Sequence, residues 1–231
     1  MTMWMKYATT LLGMVAFLCC TGNPFRISAA IVFRHHDIWR FQAAVPNMED
    51  FVSTERNSLA TELLTAAKEI GQVGKRASME DRERINQLAL RLQPHSDPRP
   101  AMIPLTGTHS LVYSGSDSGP TAGLIGPFVG KVTQFFCNET VYQNRVQFGP
   151  LQVSIFGKRR LLSDTDIEVG FYRTQIHLWG QQVLDRNVEL WRTPGRWEHI
   201  FVGQVEVEGQ TLLLRVMNTP KLFILLKKVT N

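Results

Sequence analysis

From Leu105 to the end of the 231-residue chain, apolar and polar residues alternate in short segments with a period of two. The first segment, 108–114, places His109, Leu111 and Tyr113 on one side of an extended strand and the residues between them on the other. Turn residues such as Gly, Pro, Asn and Asp separate this segment from nine more. Short antiparallel strands in this number close a barrel of the lipocalin size. The predicted strands are 108–114, 130–137, 140–148, 151–156, 166–172, 174–179, 187–192, 199–207, 211–217 and 222–229.

Two helices are predicted before these strands, within 55–94. Their apolar stripes recur at helical spacing. Gly71 ends the first helix, a capping-box pattern starts at Ser78, and Pro94 stops the second helix. We therefore expect a mainly β fold, a lipocalin-like antiparallel β-barrel over 105–231 preceded by a short α-helical hairpin. The hairpin is expected to plug or brace one end of the barrel; a partner-binding role is the alternative.

The N-terminus carries targeting signals. Lys6 precedes an apolar run over 7–20, which has the length of a signal-peptide core, so 1–22 is predicted to be a signal peptide. The segment 23–50 is basic and poor in acids over most of its length, as transit peptides are. A signal peptide followed by a transit-like segment is the bipartite address of plastids enclosed by extra membranes. Secretion is the alternative.

Charge and cysteine content narrow the possible partners. The 25 basic and 20 acidic residues give a net charge of +5, but no Lys/Arg stripe or nucleic-acid motif accompanies it. The basic runs 158–160 and 227–228 suit contact with an anionic lipid surface, or simply a solvated surface. Cys137 is the only cysteine after the N-terminal run, so neither an internal disulfide nor a zinc site is expected.

Several segments together resemble one family. The stretch LTGTHSLVYSGS at 105–116 resembles the L-x-G-x-W-x-L-x-Y-[ST]-x-S opening of the plastid lipid-associated proteins, the fibrillins of plastoglobules and thylakoids. Further similar segments are the helical lead-in 79–85, the G-x-x-x-Q stretch within 126–134, the N-x-V-x-F strand 144–148 and the closing strands 212–216 and 221–225. The resemblance covers about residues 57 to 231.

The resemblance implies a fibrillin-type protein that binds or coats carotenoid, quinone or lipid at a thylakoid or plastoglobule surface in the plastid. The chain departs from the family at two positions: His109 stands where Trp is usual, and Thr211 where Asp is usual. In such barrels the opening Trp closes the floor, and a basic side chain from a closing strand packs over it. We therefore expect a looser floor at His109, with Arg215 stacked on its imidazole.

Alternation also predicts which side chains line the barrel. A ligand pocket should be mostly apolar with few polar groups, and the hydroxyl of Tyr113 would meet the polar end of the ligand. The alternative is a packed barrel with no cavity. The predicted ligand-binding residues are His109, Leu111, Tyr113, Phe128, Phe135, Val146, Phe148, Phe171 and Arg215, with Ile167 and Val169 in the same lining.

An enzyme acting on an isoprenoid or fatty-acid-type substrate in the same barrel is the competing hypothesis. It requires paired titratable groups that point inward. Asp164, Asp166 and Glu168 lie beside the basic run 158–160 and suggest a surface ion network, while neighbouring Glu198 and His199 face opposite ways on a strand. With no phosphate loop, nucleophile elbow or metal-spaced histidines, we predict no catalytic residue, cofactor or metal, and we favour a binding protein.

Overall fold

A computed structural model describes residues 48–74, 77–116, 122–125, 128–192, 194–219 and 221–229. The predicted signal peptide and nearly all of the predicted transit segment lie outside these residues. Two helices come first, α1 (Met48–Ile70) and α2 (Met79–Leu92), followed by single 3₁₀ turns at Gln93–His95 and Pro100–Met102. The strands are β1 (Gly107–Ser114), β2 (Leu124–Ile125), β3 (Phe128–Val129), β4 (Lys131–Phe136), β5 (Val141–Phe148), β6 (Leu151–Leu161), β7 (Asp166–Leu178), β8 (Gln181–Asn187), β9 (Gly195–Val207), β10 (Gln210–Asn218) and β11 (Leu222–Lys228).

Eight of the strands form a closed antiparallel ring. Their order is β6-β5-β4-β1-β11-β10-β9-β7, and β7 pairs back onto β6. β8 continues the sheet from the second half of β7, while β9 pairs with the first half of β7. β2 and β3 form a separate two-stranded ribbon. The predicted fold class, a mainly β barrel-like structure preceded by two helices, is confirmed.

The two ends of the barrel differ, and we name them here. The mouth is the end at which β5 turns into β6 at Gly149–Pro150 and β7 turns into β8 at Trp179–Gly180. The floor is the opposite end, where β9 turns into β10 and β1 begins. Leu105 and Ala101 are buried there, and they belong to the same apolar cluster as the barrel interior.

The helical hairpin packs against the side of the barrel and not against one end, so the expectation that it plugs an end is wrong. The buried stripes of α1 and α2 form one apolar cluster with outward side chains of β9, β10 and β11, including Phe201, Leu214 and Ile224. The physical reason is visible in β10 and β11, where Leu212–Met217 and Leu222–Leu225 are apolar on both faces apart from Arg215. A strand with two apolar faces needs cover on both.

The helix ends match their sequence signals. Gly71 follows α1 with φ +88°, a left-handed conformation that glycine adopts without strain. At the start of α2, the Ser78 hydroxyl accepts a hydrogen bond from the Asp81 amide at 3.0 Å, and the Asp81 carboxylate accepts one from the Ser78 amide at 3.3 Å. The predicted capping box is therefore present.

Some strand bounds differ from the prediction. β7 runs unbroken where two strands were predicted, and the predicted strand at 187–192 is mostly turn, since β8 lies earlier. Every residue of β8 is exposed, so its sequence carries no burial pattern. Gly157 lies inside β6 and not in a turn; a Cβ there would sit 2.6 Å from the Tyr142 ring, so this glycine makes room for the tyrosine.

Candidate functional site

A row of polar side chains crosses the barrel interior. His109 on β1 lies opposite Gln134 on β4, and Gln134 lies opposite Asn144 on β5. Residues directly opposite one another on neighbouring strands share a face of the sheet. All three are buried, among inward apolar residues such as Phe136 and Val146. Hence the interior of this barrel is not uniformly apolar, and the polar row is its most distinctive feature.

Arg215 is completely buried in the same interior. Its Nε and Nη2 atoms both point at the Nε2 atom of His199, at 3.1 and 2.9 Å, and its guanidinium lies 5.2 Å from the centre of the Phe136 ring. Burial lowers the pKa of Arg215 to about 9, which keeps the group cationic at neutral pH. Arg215 makes no ion pair with a carboxylate in the described part of the chain. The interior therefore carries a positive charge that no described acid neutralises.

Both interior histidines are held neutral. The Nδ1–H of His199 donates to the carbonyl of Thr165 at 3.0 Å, which leaves the Nε2 lone pair to accept from Arg215. Burial and the nearby Arg215 charge hold the pKa of His199 well below its usual range. His109 donates from Nε2 to the Leu105 carbonyl at 3.0 Å, and burial with the Arg215 charge lowers its pKa to about 4.

The stacking expected between Arg215 and His109 is absent from the structure. Arg215 lies over Phe136, whose ring meets the imidazole of His109 edge-on at 5.3 Å between centres. Phe136 thus occupies the place between the two side chains. Arg215 instead contacts the imidazole of His199, and this contact is made by hydrogen bonds and not by stacking.

Several buried polar atoms of the interior have no hydrogen-bond partner among the described residues. They are Gln134 Oε1, both side-chain atoms of the Asn144 amide, the Tyr142 hydroxyl, His109 Nδ1 and Arg215 Nη1. A buried polar atom without a partner costs about 1–3 kcal/mol, and native proteins contain few of them. Such a concentration in one place calls for a further polar partner, water or a bound molecule.

A pocket of about 190 Å³ leads from the mouth to this polar row. Gln134 and Asn144 line it, and its walls include the side chains of Phe171, Trp197 and Phe223. Most small-molecule pockets measure about 300–1,000 Å³, so this one is small. It suits a single ring or the polar head of a larger amphiphile. The alternative of a packed barrel with no cavity does not describe this end of the interior.

The structure brings together most of the predicted ligand-binding residues. Those in the interior cluster or beside it are His109, Leu111, Val146, Phe148, Ile167, Val169, Phe171 and Arg215. Only Phe171 and Val169 of this set line the pocket itself.

Three predicted lining residues lie elsewhere. The pairing of β1 with β11 shifts register between Leu111 and Tyr113, so Tyr113 turns outward and packs beneath the helices. Phe135 is 42% exposed because the inward positions of β4 are Val132, Gln134 and Phe136. Phe128 is 66% exposed in the β2–β3 ribbon, outside the ring. A bulge, a one-residue shift of face and an unpredicted ribbon account for the three errors.

Sequence reasoning missed Gln134, Asn144, Tyr142 and Trp197 as site residues, and it set His199 aside because neighbouring Glu198 faces the opposite way on the strand. A signal for the first pair was present: one polar residue stands between apolar inward positions on each of two consecutive strands. Reading the inward positions of β4 from Val132 rather than from Phe135 gives Gln134, and Asn144 lies two residues before the predicted lining residue Val146. His199 and Arg215 are 16 residues apart, and only the pairing of β9 with β10 brings them together.

The carboxylates considered for catalysis lie outside the interior. Asp166 accepts hydrogen bonds from Arg196, Ser163 and Thr165, and Glu168 pairs with Arg160. Glu168 thus pairs within the basic run 158–160, as the sequence indicated, whereas the basic partner of Asp166 is Arg196, outside that run. Within the described residues, no group of His, Cys, Asp and Glu has the arrangement of a metal site. No helix in the described part of the chain is both long and apolar enough to cross a bilayer.

Comparisons of the chain with protein-family models, with curated proteins and with solved structures found no match.

Proposed function

We propose that this chain is a plastid lipid-associated protein of the fibrillin type, whose barrel binds a hydrophobic small molecule such as a carotenoid, quinone or lipid by its polar head. The observation that carries the proposal is the pair of buried amides, Gln134 and Asn144, which line a pocket with aromatic walls and carry polar atoms that have no partner among the described residues. An amide both donates and accepts, so the pair matches a head group with a carbonyl or hydroxyl oxygen. The sequence resemblance over 57–231 supports the same function.

The dimensions and charge of the interior favour a ring with oxygen substituents over a fully apolar guest. The pocket volume of about 190 Å³ accepts one ring, while a long isoprenoid or acyl chain must remain at the mouth. The unneutralised charge of Arg215 raises the electrostatic potential of the interior. A carbonyl oxygen is attracted by such a field. Among the proposed ligands, a quinone combines a single ring, two carbonyls and a long apolar chain.

The surface around the mouth supports contact with a lipid phase. Trp179 is 77% exposed at the turn between β7 and β8, with φ +49°, a conformation that bulky residues rarely adopt. Phe128 and Val129 are also exposed, in the ribbon that precedes Lys131 at the mouth end of β4. Tryptophan prefers the boundary between apolar and aqueous phases. The isoprenoid or acyl chain of a ligand, left outside the pocket, would then lie in lipid and not in water.

A short-chain quinone tests the head-group site. Trp197 lines the pocket, so titration with decyl-plastoquinone is expected to quench tryptophan fluorescence saturably. Asn144→Leu should weaken binding at least about tenfold, because loss of hydrogen bonds worth about 0.5–1.5 kcal/mol each has that effect. Gln143→Leu is the matched control, since Gln143 precedes Asn144 on β5 and faces outward. Absence of saturable quenching, or equal affinity in Asn144→Leu, would contradict the proposal.

The proposed plastid location has its own test. A fluorescent protein fused behind residues 1–50 should accumulate in the plastid of an alga whose plastid is enclosed by extra membranes. Fluorescence confined to the secretory pathway would exclude the plastid and favour secretion.

An enzyme acting on an isoprenoid or fatty-acid-type substrate remains the second candidate, and one observation favours it. His109 is neutral, and its Nδ1 lone pair has no partner among the described residues, so this nitrogen can accept a proton, although a pKa of about 4 makes it a weak base. Turnover of a quinone or carotenoid that disappears in His109→Gln, while quinone binding persists, would establish the enzyme.

A further inference from the structure

A groove separate from the barrel pocket runs along the outer face of β1 and β11, beside α1. Its volume is about 540 Å³, within the usual range for a small-molecule site. Leu64 of α1, Val112 of β1, Leu212 of β10 and Leu226 of β11 supply its apolar surface. From Thr108 to Val112 the groove spans five residues of β1, or about 13 Å over the four steps between them.

The charged residues of this groove are mostly basic. Lys227 and Lys228 line it at the end of β11, and Lys68 lines it from α1. Glu208 is the single acid in the lining and pairs with Lys68 at 3.6 Å, which leaves the two lysines of β11 uncompensated. Lys227 donates to the Thr106 carbonyl, whereas exposed Lys228 makes no ion pair with any described residue.

We propose that this groove binds a single-chain anionic amphiphile, a fatty acid carboxylate, with its carboxylate at Lys228 and its chain along Val112 and Leu226. The apolar surface and the basic end are continuous, since Leu226 and Lys228 share the outer face of β11. An anion at that end pairs with the Lys228 ammonium group, and its hydrocarbon chain covers outward apolar surface that the helices leave open. This site does not depend on the proposed function of the barrel.

Calorimetric titration of the purified chain with decanoate, and with decanol as the uncharged control, tests this site. Decanoate is expected to bind with a stoichiometry of one, more tightly than decanol, and more weakly as salt is added. Lys228→Gln should weaken decanoate about threefold, in the range of an exposed charge pair, without changing decanol. Ser110→Trp fills the groove from an exposed position and should abolish binding of both.

The control for Ser110→Trp is Gln181→Trp, an exposed strand position outside the groove. Urea unfolding midpoints establish that both variants are folded. Decanoate affinity that is unchanged in Ser110→Trp, equal affinities for decanoate and decanol, or no binding at all would overturn the proposal. Binding that survives in Ser110→Trp but disappears in Asn144→Leu would instead place the carboxylate in the barrel pocket.

Discussion

Replacement of Asn144 by leucine is expected to make the chain more stable while removing its ligand. Asn144 is fully buried, and both polar atoms of its side chain lack a partner among the described residues. Each such atom lowers the free energy of unfolding by about 1–3 kcal/mol. Water that enters through the pocket would offset part of this cost. Leucine has a similar size and no polar atom. We therefore expect the free energy of unfolding to rise by about 2 kcal/mol.

The assay is urea unfolding at pH 7 without added ligand. With a slope of about 2 kcal/mol/M, the gain corresponds to a rise of about 1 M in the unfolding midpoint, at unchanged slope. Val146→Ala is the control, because Val146 is the next inward residue of β5 and is also fully buried. That change should lower stability by about 2 kcal/mol. If Asn144→Leu destabilised the chain as Val146→Ala does, Asn144 would be satisfied within the protein, and the site argument would fail.

Three further predictions concern the scaffold. Gly157→Ala should destabilise the chain by about 1–3 kcal/mol in urea unfolding, because the new methyl group collides with the Tyr142 ring; a neutral effect would contradict this packing. The hydrogen bond from Arg196 lowers the pKa of Asp166 to about 2, so its contribution to stability is present above about pH 4 and is lost as the pH falls toward 2. Asp166→Asn should remove that part of the pH dependence of the unfolding midpoint, and an unchanged profile would refute the assignment. Ser78→Ala should lower stability by about 1 kcal/mol through loss of the cap, whereas Ser78→Asp, which keeps an acceptor, should restore most of it.

The architecture could be predicted from the sequence because its signals are local. Alternation with period two marked most of the strands, and the helices were bounded by Gly71 and by the capping box at Ser78. The position of the helical hairpin could also have been anticipated. β10 and β11 are apolar at consecutive positions, which indicates burial of both faces and therefore a cover on the outside.

The site was predicted less well because it depends on register. Alternation states which residues share a face but not which face is inside, and that choice failed for Phe135. A shift of register in β1 turns Tyr113 away from the ligand pocket. No feature of the local sequence LVYS predicts this shift. The contact between Arg215 and His199 joins two strands and has no local signature.

Two buried amides form the polar part of the pocket lining. Glutamine and asparagine are usually exposed, so their residue type alone does not place Gln134 and Asn144 inside the barrel. In this barrel they are buried at matching positions of β4 and β5, and their exceptional burial is what makes them informative.

Mass spectrometry of the organic extract of the protein, purified from its own cells, is the decisive test of ligand binding in the barrel. We expect a stoichiometric hydrophobic molecule with an oxygen-bearing ring or head group in the native protein, and its loss from Asn144→Leu but not from Gln143→Leu. An extract that contains no such molecule above the level of an unrelated protein purified in parallel, or one that is unchanged in Asn144→Leu, would show that the barrel pocket is not a ligand site.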